Sequence, residues 1–292
     1  MQEMDAAPYL DIVTRLGEGP RWDGVKQRLL FVDILAGIVY ECDVAAESVR
    51  SFHVGQHVGA VAPRASGGFV VAVQEGFGSI GEGGEYRPIS TPYRKRFDVR
   101  MNDGACDPVG RFFAGSMAYD GSPGAGELWR LDWDGTCQRV LSDVSISNGI
   151  GWSADGNTCY YTDTPTRRID SFVYDVSRGG LSERQVFANL ACLEGIPDGL
   201  TLDSEGGVWV ALYGGNSIVR LGDNGALTFT VTVPGAALVT ACTFGGPDLD
   251  RLYITTAQEP MSESERMVQS HAGRLFVCKP GWTGFAAVPY AG

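Results

Sequence analysis

The chain has 292 residues, 44% of them hydrophobic and 20% charged, with a formal net charge of −12. That balance is ordinary for a folded globular protein and excludes a disordered one. No basic block or basic stripe offsets the acidity, which argues against a nucleic-acid or anionic-membrane partner and leaves plain solubility as its role.

The stretch 1–8 carries two acidic residues and neither a basic region nor an apolar core, so no secretory leader is expected. No apolar run approaches the length of a membrane span. The seven cysteines are scattered, odd in number and without a C-x-x-C pair, which predicts reduced thiols and a cytoplasmic location.

Residues 9–16 alternate loosely and predict a strand ahead of the first repeat. Then comes Leu16-Gly17-Glu18-Gly19-Pro20-Arg21-Trp22, followed by the Asp23-Gly24 turn and a strand over 29–33. The same layout restarts at Val58-Gly59-Ala60, Asp103-Gly104-Ala105, Asn148-Gly149-Ile150, Asp198-Gly199-Leu200 and Thr240-Ala241-Cys242. The starts at 18, 58, 103, 148, 198 and 240 recur every 40 to 50 residues or so, the spacing of propeller blades.

Within each unit a turn leads to a second strand, over 69–73, 111–114, 158–162, 208–212 and 251–255, and hairpins follow. The third unit folds 127–131 onto 137–141, the fourth 168–174 onto 184–187, and the fifth 217–221 onto 227–233. Residues 117–126 are rich in turn formers and predict a surface loop on one face of the ring. The one helix expected lies over 261–269, capped by Ser262. Residues 273–278 and 284–288 should pair with the N-terminal strand, so that the termini meet in one blade and leave no open edge. The expected fold is all-β: a single six-bladed β-propeller over 1–292, with four-stranded blades around a central metal site.

In a propeller, equivalent inner-strand positions converge near the axis. Four of the six repeat starts carry side-chain oxygens: Glu18, Asp103, Asn148 and Asp198. One Asp-Gly pair is an ordinary turn signal. Four in register form a cluster of hard donors without histidine or thiolate, which suits Ca²⁺, Mg²⁺ or Mn²⁺ over a His-rich zinc site. Other motifs carry less. Gly76-Phe77-Gly78-Ser79-Ile80-Gly81 matches G-x-G-x-x-G, but no helix follows it and a hairpin turn is expected. There is no G-x-S-x-G, and His53, His57 and His271 adjoin no nucleophile. Trp22 and Trp152 are expected to pack between blades.

An ordered set of motifs resembles the SMP-30/gluconolactonase/luciferin-regenerating enzyme family, whose members include regucalcin-like sugar lactonases. The set runs through Leu16-Gly17-Glu18-Gly19-Pro20, Arg100-Met101-Asn102-Asp103-Gly104, Gly115-Ser116-Met117, Ser147-Asn148-Gly149 and Tyr161-Thr162-Asp163-Thr164. It continues with Ile196-Pro197-Asp198-Gly199, Phe244-Gly245-Gly246-Pro247-Asp248-Leu249 and Leu252-Tyr253-Ile254-Thr255-Thr256-Ala257. The resemblance implies one divalent cation on Glu18, Asn148 and Asp198, Ca²⁺ foremost, with Zn²⁺, Mn²⁺, Mg²⁺ and Fe²⁺ as alternatives. It implies that Arg100 and Asn102 hold substrate oxygens, that Asn102 and not Asp103 faces the cavity, and that Asp120 is the nearest counterpart of a further substrate contact.

The activity implied is opening of a small sugar-acid lactone. A bound cation would polarise the carbonyl and acidify a water, with Asp198 as general base and Arg100 holding a hydroxyl or the developing oxyanion. A phosphotriesterase-like hydrolase and a non-catalytic calcium-binding propeller are the alternatives.

Overall fold

Short runs of β-branched and aromatic residues, each stopped by glycine or aspartate turns, give strands and almost nothing else. The computed structural model describes residues 2–292; Met1, the first residue of the stretch read for a leader, lies outside the described residues. The described strands form six sheets, ordered by sequence from the axis outward.

The first blade is Gly17–Asp23, Arg28–Asp33, Ile38–Asp43 and Ser48–His53. The second is Val58–Pro63, Phe69–Val73, Gly76–Ile80 and Tyr86–Ser90. Val99–Cys106, Phe112–Ala118, Gly126–Leu131 and Cys137–Val144 make the third. The fourth takes Ser147–Trp152, Thr158–Asp163, Arg168–Asp175 and Gly180–Asn189. Ile196–Leu202, Val208–Tyr213, Ser217–Leu221 and Leu227–Thr232 form the fifth. The sixth has Val239–Gly245, Arg251–Thr256 and Arg274–Cys278, completed from the other terminus by Ala7–Val13. Each inner strand touches the next, and that of the sixth blade touches that of the first, which closes a six-bladed ring.

Closure is non-covalent. Ala7–Val13 pairs antiparallel with Arg274–Cys278, as the N-terminal alternation predicts. Gln2–Asp5 then crosses to the fifth blade and pairs parallel with Leu227–Thr232, a fifth strand that no repeat signal announced. Two sequence expectations need correction. Residues 284–288 are not a strand, because Ala7–Val13 already fills the outer edge of the sixth blade. They run across the end of the ring instead, with the Ala287 amide donating to Trp22 O (3.0 Å) and the Gly284 amide to Leu249 O (3.0 Å). Gly76–Ile80 is the third strand of its blade, not a turn. Phe77 and Ile80 are buried there, and Gly78 has no side chain to block the Tyr86 ring packed over it.

The core lies between blades. Trp22 stacks on Tyr253 with centroids 6.0 Å apart, joining the first blade to the sixth. Trp152 meets Phe113 and Tyr174 edge-on between the third and fourth. Burying such side chains contributes roughly 1.5–3 kcal/mol each. The helix is Glu263–Val268, with Ser262 and Glu265 forming a reciprocal capping box. No described helix is long and apolar enough to cross a membrane.

Candidate metal and substrate site

Every inner strand breaks register with its neighbour near its start. The breaks fall between Glu18 and Arg21, Val58 and Ala60, Met101 and Gly104, Ser147 and Ile150, Pro197 and Leu200, and Val239 and Ala241. A bulge re-aims side chains that regular alternation would send elsewhere. Asn102, Asn148 and Asp198 each follow the last paired residue in their strands. The repeat register that aligned Asp103 with them is therefore displaced by one, and Asn102 is the equivalent residue. The glycines after Asn148 and Asp198 serve blade packing. A Cβ on Gly149 would stand 2.5 Å from the Leu200 amide, and one on Gly199 2.5 Å from the Ala241 Cβ.

Glu18, Arg100, Asn102, Asp103, Asn148 and Asp198 are all buried. Arg100 Nη1 donates to Asn102 Oδ1 at 2.6 Å, and Asn102 Nδ2 donates to Asn148 Oδ1 at 2.8 Å and to Ser147 O at 2.7 Å. Asn148 Nδ2 in turn donates to Thr164 Oγ1 (2.7 Å), whose hydroxyl donates to Pro197 O next to Asp198 (2.8 Å). A continuous polar chain thus runs across three blades and holds the amides in fixed orientation.

The carboxylates are less well provided for. Glu18 Oε2 accepts only from its neighbour's amide, that of Gly19 (2.9 Å). Burial, followed by the Asp103 charge, pushes the Glu18 carboxyl up to about 8. Burial, then the Glu18 and Asp103 charges, raises Asp198 well above the usual carboxylate range. Its Oδ1 is buried without any hydrogen-bond partner. Burial pulls the Arg100 guanidinium down, with Tyr119, Glu18 and Asp198 acting the other way.

An orphaned carboxylate oxygen beside a second buried carboxylate and an amide oxygen is a donor set a divalent cation fits. Among the described residues no group of three or more His, Cys, Asp or Glu side chains is arranged for a metal, so the third donor would be the Asn148 amide.

Asp103 accepts from the Gly104 amide (2.7 Å) and lies 3.7 Å from Arg21 Nη2. Arg21, unnoticed in the sequence, also donates to Pro20 O and Gly104 O, bracing the first blade against the third. Asp120 is on the surface, where the Ser122 amide donates to it and holds its carboxyl below the usual range. Its neighbour Tyr119 is also exposed, but it reaches across the rim: its hydroxyl is 2.7 Å from His57 Nδ1, and its phenol interacts electrostatically with Arg100. The pairing joins residues 62 apart in the chain, so no local pattern signals it.

Three residues beyond the bulge in each inner strand, the wall changes character. Arg21, Ala62, Ala105, Gly151, Thr201 and Thr243 line a cavity of about 410 Å³ at the opposite end of the channel, partly covered by residues 285–288. The carboxylates and the polar chain face the other mouth.

A family model described as the SMP-30/gluconolactonase/LRE-like region matches residues 16–258. A Bacillus subtilis protein provisionally named a sugar lactone lactonase, YvrE, is 37% identical over 291 residues, covering 99% of each chain. Regucalcin of Xenopus laevis is 36% identical over 288 residues, covering 95% of each. The solved luciferin-regenerating enzyme superposes with a TM-score of 0.90 at 31% identity, covering 96% of each chain. On this agreement of sequence, fold and coverage, the chain belongs to the SMP-30/gluconolactonase/LRE-like family.

Proposed function

We propose that this propeller is a hydrolase that opens a small sugar-acid lactone to its aldonic acid. The observation that carries the reading is Asp198 Oδ1, buried and unpartnered at the mouth beside Glu18 and Asn148. Glu18, Asn148 and Asp198 would hold one divalent cation, Ca²⁺ foremost. When bound, it supplies Lewis acidity to the lactone carbonyl and lowers the pKa of a water.

The chain's own residues do the rest. Asp198 accepts the proton of the attacking water as general base. The water oxygen bonds to the carbonyl carbon, and the ring C–O bond breaks as Asp198 returns that proton to the departing ring oxygen, leaving a hydroxyl and a carboxylic acid. Arg100, braced on Asn102, donates to the oxygen on which charge develops. Asn102 commits both Nδ2 hydrogens to orienting Asn148 and Ser147, so its Oδ1 is the atom left to accept from a substrate hydroxyl, and Asp120 would reach substrate only from the rim. A cytoplasmic setting is part of this reading, supported by seven cysteines that are all free thiols.

The test is proton release from a panel of aldonolactones by metal-stripped protein, with Ca²⁺, Mg²⁺, Mn²⁺, Zn²⁺ or Fe²⁺ restored singly. Hydrolysis that returns with metal and is lost in Asp198→Ala is the expected result. No hydrolysis above background with any cation would sink the lactonase reading and direct attention to phosphotriesters.

A further inference from the structure

The carboxylate-bearing face carries a second hollow that opening of a sugar lactone does not use. A cavity of about 620 Å³ is lined by Tyr213, Ala237, Leu238, Pro260, Met261 and Val268 among others. Its walls are the loop leading into the sixth blade and the segment that carries the helix Glu263–Val268.

These walls are tied to the ring. The Ala257 amide donates to Leu238 O (2.9 Å), the Gln258 and Glu259 amides donate to Arg15 O, and the Tyr213 hydroxyl donates to Glu259 O (3.2 Å). The lining is largely apolar but open, and Val268 is 78% exposed on the helix at its rim. An apolar surface left uncovered at the edge of a built cavity marks a place for a ligand. Glu265, the charged residue of the wall, is turned back onto Ser262 by bonds from its amide and hydroxyl (2.7 and 2.6 Å), so the wall presents no free charge. Its remaining polar groups are the neutral Ser264 and Gln269, the latter with a buried, unpartnered Oε1.

Tyr213 joins this cavity to the lactone site. It pairs with Ile196, two residues before Asp198, and also bridges to Leu238. The Asp198 and Glu18 charges both reach its phenol.

Resting on the lactonase reading, we propose that this cavity takes a neutral apolar substituent of a lactone ring. The chain then opens alkyl-substituted lactones as well as sugar lactones. The chemistry is the same hydrolysis: water oxygen to the carbonyl carbon, ring C–O cleaved, ring oxygen leaving as a hydroxyl. Only the substituent's seat is new.

The experiment compares γ-valerolactone, γ-octalactone and γ-decalactone with gluconolactone, using metal-loaded wild type and Val268→Asp. Val268 is exposed and outside the catalytic machinery, so the variant should fold and keep wild-type gluconolactone turnover. The expected result is a kcat/KM that rises about fourfold per added methylene in the wild type and flattens in the variant. Calorimetric binding of the matching non-hydrolysable alkyl lactams reads the cavity without turnover, with tighter binding and more negative ΔCp along the series. Sugar-lactone hydrolysis with no chain-length dependence, or a dependence unchanged in Val268→Asp, overturns the inference. If no lactone is hydrolysed, the lactonase reading fails; lactam binding weakened in Val268→Asp would still establish the cavity, and no lactam binding would remove it too.

Discussion

Replacing Asp198 by Asn should stabilise the metal-stripped protein at pH 8 while abolishing its response to metal. Two buried carboxylates with raised pKa values carry the reasoning. The Glu18 carboxyl moves from 4.5 to about 8, through burial and the Asp103 charge, and Asp198 moves in the same direction. A folded-state pKa above the unfolded one means that the native state binds the proton more tightly. The stabilisation is complete below the unfolded value and is lost as pH rises through the folded one. Metal-free protein should therefore weaken between about pH 4.5 and pH 8. At about 1.4 kcal/mol per pKa unit, Glu18 alone sets an upper bound of roughly 5 kcal/mol, which for a chain of this size is on the order of 10 °C in Tm. Asp198→Asn removes one buried charge and its repulsion of Glu18, so its melting curve should be flatter with pH and higher at pH 8. A cation at about a hundred times its Kd restores roughly 2.7 kcal/mol to the wild type and nothing to the variant. The assay is thermal melting from pH 5 to 8, with chelator and with Ca²⁺. A metal-free wild type whose Tm is flat or rising across that window, or a variant less stable than wild type at pH 8, would refute the reasoning.

Other expectations follow from the same geometry. Arg100→Met should lower kcat/KM by about 10² to 10³, as loss of an oxyanion donor does, while the metal-induced gain in Tm survives; loss of that gain would make Arg100 structural. Trp22→Ala should cost about 3–5 kcal/mol, measured by denaturant unfolding, since the ring stacked on Tyr253 joins the first and sixth blades. A cost below 1 kcal/mol would contradict that role. Deleting residues 2–13 uncovers the edges of Leu227–Thr232 and Arg274–Cys278 and should give concentration-dependent aggregation by light scattering; a monodisperse truncation with unchanged Tm would refute this non-covalent closure.

Sequence alone determined the repeat, the six blades and the closing role of the N-terminal strand, because period-two patterning and glycine-rich turns are local signals. The shared register also set Glu18, Asp103, Asn148 and Asp198 together, since residues at one register of a ring converge by symmetry; narrowing the set to Glu18, Asn148 and Asp198 came from the family resemblance. Tertiary structure decided what symmetry does not reach. Asn102 and Asp103 both sit inside a bulge, where alternation no longer says which side chain faces the axis. Tyr119 and Asp120 are both exposed, but only Tyr119 is tied to another part of the ring, by His57, while Asp120 is held by its own turn at Ser122. Gln2–Asp5 joins the fifth blade because that edge was free, not because its own four residues ask for it. Arg21 and the Tyr213 cavity arise from segments brought together only when the ring closes. Such contacts depend on neighbours distant in sequence, and no window of the chain contains them.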